Sequence, residues 1–243
     1  MSNLVRAPLP RGMSVKEDWR AWLPEEKERV FQYYVKELEA SYMMLSVMLN
    51  EAIELRRCGR LAVACEAVCV TPHLCDRFAR SLAALLWALS EHAKHYGTVP
   101  NASPLDPSNF LGAKGQRVAR LNGLLSRLIL TQRAQFLYKI TTLGEMVEDL
   151  HEDYCAAASE LAAGTSVESA LEWQAVDTAH YDLNTCLREA IVLLKSFLKV
   201  LPEDQLIAFQ STVLVQMSAF QTGDERGSPR SIRHGRMARI AGK

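Results

Sequence analysis

The sequence contains no long hydrophobic segment. The longest uninterrupted apolar run, Leu82 to Leu89, is far shorter than the roughly 18 residues that a membrane-spanning helix needs. The first twenty residues also lack an apolar stretch of the length found in secretory signal peptides. We therefore expect no transmembrane segment and a cytoplasmic location.

Neither sign of charge is in excess. The 243 residues include 28 Lys and Arg and 28 Asp and Glu, so the formal net charge is zero. A balanced chain gives no electrostatic reason to expect nucleic acid or an acidic surface as its main partner. The charges are unevenly placed, however, because residues 222–243 hold six basic and two acidic side chains, a net charge of +4.

Several catalytic motifs are also missing. The 12 glycines are scattered, without a phosphate-binding loop, and the chain has neither a nucleophile elbow nor a Ser/His/Asp pattern. No segment shows the two-residue alternation of a β-strand. Enzymes that depend on these motifs are therefore not expected, and neither is a sheet.

Apolar residues at helical spacing are abundant. The hydrophobic content of 49% is ample for a packed core, and apolar positions recur at steps of three and four residues. Prolines 24, 72 and 202 stand where first helical turns are expected, because proline loses no hydrogen bond there. The predicted helices are residues 24–57, 60–70, 71–97, 114–163, 165–200 and 202–221, with a loop over residues 97–113.

This pattern predicts an all-α fold, a long antiparallel up-and-down helical bundle with four main arms plus a C-terminal helix. Residues 24–221 are expected to form one domain. Residues 1–23 are expected to be a flexible N-terminal segment, and residues 222–243 a basic, disordered tail. The tight turn between the two longest later arms is predicted from Gly164 and the capping box Thr165 to Glu168.

The fourth predicted helix is unusually long. Its apolar period extends over nearly fifty residues, or about 70 Å at 1.5 Å per residue. The segment Thr142 to Glu145 either belongs to this continuous helix or places a bend at Gly144. The exposed flank of this helix is longer than the second arm, residues 60–97, can cover. This favours self-association along the pair of long helices, residues 114–163 and 165–200.

Two histidines follow carboxylates at helical spacing. Glu148 precedes His151 and Asp177 precedes His180 by three residues, which puts each pair on one helix face. Counting outward from the predicted turn places the two histidines within about 4 Å of the same height. The same counting along the other arms brings three further carboxylates to this level. These are Glu51, Glu54 and Glu66.

The motifs EDLH and DTAH resemble those of ferritin-like di-iron bundles, which combine a Glu from each of two helices with an ExxH from each of two others. Glu148 to His151 matches ExxH, whereas Asp177 to His180 is DxxH. The order also differs, since the family places its histidine motifs on the second and fourth helices. The resemblance implies a site for iron, manganese or zinc at Glu148, His151, Asp177 and His180.

A structural alternative covers the same residues. EDLHEDY is then an acidic, solvated helix face whose histidine borders the core and hydrogen-bonds locally. His92, between Leu89 and Tyr96 in the helical pattern, is predicted to be a core histidine. The six cysteines lack the spacing of disulfide scaffolds or of structural zinc sites, so reduced, mainly buried thiols are expected.

The C-terminal tail carries arginines at every third position, namely Arg230, Arg233, Arg236 and Arg239. Such a segment either contacts phosphates of nucleic acid or headgroups of an anionic membrane, or is simply a solvated terminus. Gly235 and Pro229 within it favour the solvated terminus.

Two functions are compatible with these observations. The first is a non-enzymatic helical-bundle interaction or scaffold protein, with a second copy of itself or another protein as partner and no cofactor. The alternative is a ferritin-like metal-binding or oxidoreductase bundle that uses the carboxylate and histidine residues named above.

Overall fold

The computed structural model describes residues 24–95, 98–163 and 170–222. Within these residues the chain forms seven α-helices and one short 3-10 turn, and no β-strand. The all-α class predicted from the sequence is confirmed. The helices are α1 Pro24–Arg57, α2 Leu61–Val68, α3 Thr71–His95, α4 Gly112–Leu125, α5 Gln132–Ala162, α6 Ala170–Val200 and α7 Glu203–Thr222.

Within the described residues, the first helix packs against its neighbours by one face. Its buried residues recur at steps of three and four, and this face contacts α2, α3 and α7. Gly59 separates α1 from α2 with a φ of +74°, a left-handed conformation that glycine adopts without steric cost. The buried apolar side chains described for α1 are Phe31, Tyr34, Leu38, Tyr42, Leu45, Leu49 and Ala52.

Helix α3 lies at the centre of the fold. It contacts α1, α2, α5, α6 and α7, and its buried residues lie on most of its circumference. Five of them are alanines, whose small side chains allow neighbouring helices to approach closely. These are Ala79, Ala83, Ala84, Ala88 and Ala93.

Helices α5 and α6 pack against each other in opposite directions. Phe136, near the start of α5, stacks on Phe197, near the end of α6, with ring centroids 5.5 Å apart. Further along α5, Lys139 Nζ lies 2.7 Å from Glu189 Oε2, which precedes Phe197 in α6. This pairing agrees with the predicted antiparallel arms, while the up-and-down order of the whole bundle stays a prediction.

The prediction of one helix over residues 114–163 is wrong. Helix α4 ends at Leu125, and α5 begins at Gln132 with Thr131 as its N-cap, whose hydroxyl accepts a hydrogen bond from Ala134 N at 3.2 Å. The break lies here and not at Gly144, which is inside α5. Leu128 continues the apolar period across the break but is 58% exposed, so the period there does not correspond to burial.

Helix α4 is attached to α5 and α6 by polar contacts. Arg117 pairs with Glu145 and Asp149 of α5. At the start of α4, the buried Asp182 carboxylate of α6 accepts a hydrogen bond from Leu111 N at 2.9 Å. Burial raises the pKa of Asp182, and the hydrogen bond from Leu111 N opposes this rise.

Several predicted features lie outside the described residues. They include residues 1–23, the capping box Thr165 to Glu168 and the tail over residues 223–243. The four arginines of the tail, Arg230, Arg233, Arg236 and Arg239, belong to this group.

Gly115 is expected to be essential to the docking of α4. A Cβ atom at this position would lie 2.6 Å from Phe110 O and 2.8 Å from Pro107 O, both backbone atoms. We expect Gly115→Ala to lower the free energy of unfolding by about 1–3 kcal/mol in chemical denaturation.

The matched control is Gly123→Ala in the same helix, where nothing lies within 4 Å of the added Cβ. This change is expected to raise stability by about 0.5–1 kcal/mol because alanine is the better helix former. Equal effects of the two substitutions would contradict the close backbone approach at Gly115.

Candidate functional site

His151, on α5, faces the first turns of α3. Its Nε2 lies 3.4 Å from Asp76 Oδ1, and Asp76 in turn accepts a hydrogen bond from Arg80 Nε at 2.9 Å. The side chain of His151 is 27% exposed. His151 therefore lies at the edge of the core, as one of the two sequence interpretations predicted, and its neighbour is the Asp76 carboxylate of α3.

His180, on α6, faces α1 and has different partners. Its Nε2 hydrogen-bonds with Ser46 Oγ at 2.8 Å, and its ring stacks on Tyr42 with centroids 5.0 Å apart. Burial lowers the pKa of His180, which favours the neutral ring. This imidazole is therefore held by a hydroxyl and an aromatic face.

The predicted metal ligands do not assemble into a centre. Among the described residues, which include Glu148, His151, Asp177 and His180, no group of three or more His, Cys, Asp or Glu side chains is placed to hold a metal ion. Asp177 is exposed on α6. The additional candidates Glu51, Glu54 and Glu66 are also exposed. His151 and His180 were inferred to lie at a similar position along the bundle axis. They nevertheless do not share carboxylate neighbours.

The acidic face of α5 serves a structural purpose. Asp149 and Asp153 lie within 4 Å of Lys114 Nζ on α4, at 3.8 and 3.1 Å, and Asp149 also pairs with Arg117. The EDLHEDY segment is thus partly covered by a basic helix, which differs from the fully solvated face considered above.

His92 is a core histidine, as the sequence predicted. Its ring is buried against Phe197 and Phe209, with centroids 5.6 and 5.4 Å away. Burial lowers the pKa of His92 to about 4, so the ring is neutral at physiological pH.

Two cysteines complete the surroundings of His151. Cys155 follows His151 by one helical turn on α5, and its Sγ lies 3.7 Å from Pro72 O at the start of α3. Cys155 also lies close enough to the His151 imidazole and to the buried Cys75 thiol of α3 for both to shift its pKa. Four chemically active side chains, from Cys75, Asp76, His151 and Cys155, therefore meet where α3 and α5 pack.

These contacts change the acidity of the group. The hydrogen bond with Cys75 lowers the pKa of Cys155, and the neighbouring His151 lowers it further against the effect of burial. The same hydrogen bond, together with burial, raises the pKa of Cys75. The hydrogen bond with Cys155 raises the pKa of His151. A thiolate at Cys155 beside a protonated His151 is the favoured pair of states.

The sequence analysis did not identify this cluster. Its partners on α3 lie far from α5 along the chain, so no motif connects them. The one available signal was local, because His151 and Cys155 are four residues apart and therefore share a helix face.

A second feature is the outer face of α1, where large apolar side chains are exposed. Met43 is 60% exposed, Met44 56% and Val47 58%. With the exposed Ala40 they stand at i, i+3, i+4 and i+7, so they form one stripe. We call these four residues the α1 stripe.

A cavity of about 280 Å³ lies between α4, the turn that follows it and α5. Its wall includes Asn122, whose amide donates to Leu105 O at 2.7 Å, and Lys139, whose Nζ pairs with Glu189. These two polar groups already serve contacts within the protein, so they are not arranged for a ligand.

The two half-buried histidines are expected to titrate on opposite sides of the ordinary value of 6.5. His151 should titrate above it and His180 below it in an NMR pH titration of the side chains. Because folding raises the pKa of His151, the stability it contributes is present below pH 6.5 and is lost as the pH rises through its folded-state pKa.

Cys155→Ala should lower the pKa of His151 more than Asp76→Asn does, since the contact with Cys155 is the larger cause of the rise. The pKa of His180 is the internal control and should not respond to either change. A His151 that titrates below 6.5 in the unmodified protein would contradict the arrangement described above.

None of the helices in the described part of the chain is both long and apolar enough to cross a membrane. No protein-family model, curated protein or solved structure matches the chain. Comparison with known proteins therefore does not define its family.

Proposed function

We propose that this chain is a non-enzymatic helical-bundle interaction protein, cytoplasmic, whose partner is a second copy of itself. The α1 stripe is the proposed contact surface. Three large apolar side chains that are each more than half exposed on one helix face are unusual for a surface without a partner. The residues on either side of the stripe provide the evidence for the identity of the partner.

That evidence is the self-complementarity of α1. If two copies of α1 pack antiparallel about a twofold axis between Met43 and Met44, each Met43 meets the partner's Met44. The same axis brings Ala40 opposite the partner's Val47, and Lys36 opposite the partner's Glu51. Lys36 and Glu51 are both exposed and lie on the same helix face as the stripe. One operation therefore pairs apolar with apolar and positive with negative charge.

The spacing suits a helix pair. Lys36, Ala40, Met43, Val47 and Glu51 recur at steps of three and four, which is the pattern of a seam between two helices. The seam is about 22 Å long at 1.5 Å per residue. An interface of this size is at the small end of specific contacts, so a dissociation constant in the micromolar range is expected.

The surface differs from the one predicted from the sequence. Self-association was expected along a continuous helix over residues 114–163, and that helix is interrupted between α4 and α5. The outer face of α1 now supports the proposal, because α1 is uninterrupted over 34 residues. Contacts of the arginine tail with nucleic acid or anionic lipid stay a separate prediction.

The apolar stripe can be tested with a matched pair of substitutions. Val47 is 58% exposed on α1, and Val192 is 57% exposed on α6. We expect Val47→Lys to weaken self-association at least about tenfold in sedimentation experiments, because it buries an unpaired charge in each half of the interface. Val192→Lys should leave the association unchanged. A strict monomer at micromolar concentration in the unmodified protein would overturn the proposal.

Charge reversal tests the twofold arrangement itself. In the proposed dimer, Lys36→Glu would place a carboxylate opposite the partner's Glu51, and the twofold axis would repeat this repulsive pair. Glu51→Lys would place two ammonium groups opposite each other in the same two positions. Each single variant is expected to weaken association roughly two- to tenfold at low salt. The double variant Lys36→Glu, Glu51→Lys should restore it. Failure of the double variant to recover would show that these residues do not face each other.

A further inference from the structure

The contact between α3 and α5 brings two thiols together from helices that are distant along the chain. Cys75 is fully buried on α3, whereas Cys155 on α5 is only partly buried. Their thiols are close enough for each to shift the pKa of the other. Thiols that interact across two packed helices are candidates for a disulfide.

The surroundings of Cys155 are those of a reactive thiol. His151 lies one turn before it on the same helix face and shifts its pKa, and Asp76 Oδ1 lies 3.4 Å from His151 Nε2. A protonated imidazole stabilises a neighbouring thiolate, and the Asp76 carboxylate stabilises the protonated imidazole. The thiolate is the nucleophilic form of cysteine, so this arrangement increases the reactivity of Cys155 and not that of Cys75.

We propose that Cys155 is a peroxide-reactive thiolate and that Cys75 is its resolving cysteine, so that a hydroperoxide converts the pair to a Cys75–Cys155 disulfide. The proposal is independent of self-association through α1. In this proposal the partly accessible Cys155 reacts with the peroxide and the buried Cys75 forms the disulfide. The His151–Asp76 pair stabilises the Cys155 thiolate.

The reaction proceeds in two steps. The Cys155 thiolate attacks the terminal oxygen of the hydroperoxide, an S–O bond forms and the O–O bond breaks, and the alkoxide takes the proton of His151 to leave as an alcohol. The Cys75 sulfur then attacks the sulfenic acid on Cys155. An S–S bond forms and the S–O bond breaks, and the hydroxide leaves as water with the proton of the Cys75 thiol. Two thiols are oxidised and one peroxide is reduced.

A cysteine beside a histidine and a carboxylate also occurs in acyl-transfer enzymes. That reaction needs the sulfur to face a bound carbonyl substrate. Here Cys155 Sγ faces the Pro72 carbonyl oxygen and the Cys75 thiol. A second sulfur is therefore among the groups that surround the Cys155 sulfur, which favours disulfide formation.

The test uses the full chain and hydrogen peroxide. Reduced protein is exposed to substoichiometric peroxide at pH 7, free thiols are alkylated, and disulfide-linked peptides are identified by mass spectrometry. We expect a Cys75–Cys155 disulfide as the first product, reversed by dithiothreitol. We also expect Cys155 to react with a thiol-alkylating probe at least about tenfold faster than Cys58. Cys58 is the control because it is exposed, so a reactivity set by exposure alone would favour it.

Two kinds of variant separate the roles. Cys75→Ala and Cys75→Ser should leave a sulfenic acid on Cys155 that dimedone traps, and either variant serves if its circular dichroism spectrum is that of the unmodified protein. His151→Ala should slow alkylation of Cys155 to a rate near that of Cys58. The proposal is overturned if Cys58 reacts as fast as Cys155 in the unmodified protein, or if oxidised Cys155 remains a dimedone-reactive sulfenic acid while Cys75 is present.

Discussion

Burial of α3 on nearly all sides is the constraint from which the rest of the structure follows. A helix with apolar residues around its circumference is stable only when other helices cover it, and α1, α5, α6 and α7 do so. Each leucine buried on α3 contributes about 1.5–3 kcal/mol relative to exposure, while the alanines between them keep the neighbouring helices close. Because α3 holds its neighbours at short distance, Cys75 and Asp76 in its first turns reach side chains of α5, and the Tyr34 hydroxyl of α1 donates to Ser81 O on α3.

The same constraint explains why α1 has an open face. One side of α1 covers α2, α3 and α7, and among the described helices these three make its main contacts. An outer helix face that only contacts water is expected to be polar along its whole length. The open face of α1 has polar ends, with Lys36 and Glu51, whereas its middle holds Met43, Met44 and Val47. The contrast between middle and ends gives the face the character of an interface core with a charged rim.

The sequence predicted the helices where local signals and burial agree. Pro24 marks the start of α1 and Gly59 its end, and the apolar period of α5 matches its buried residues. The prediction from the sequence was wrong between α4 and α5, because Leu125 and Leu128 keep the helical period although Leu128 is exposed. The N-cap residue Thr131 was the signal that marks the start of a new helix. For the site, spacing identified His151 but assigned it carboxylate partners at equal height. The actual partners are fixed by the packing of α3 on α5, which residue spacing along one helix does not encode.

The way α4 is attached implies that the molecule does not have one uniform stability. Its deeply buried residues are Gly115 and Val118 alone, and much of its remaining contact with α5 is through the ion pairs of Lys114 and Arg117. Salt screens such partly exposed pairs to some extent, whereas it does not weaken the apolar packing around α3. The amide hydrogens of α4 are therefore expected to exchange with solvent by local opening, in a cooperative unit separate from that of α3 and α5. We therefore expect a higher ionic strength to increase amide exchange more in α4 than in α3 and α5.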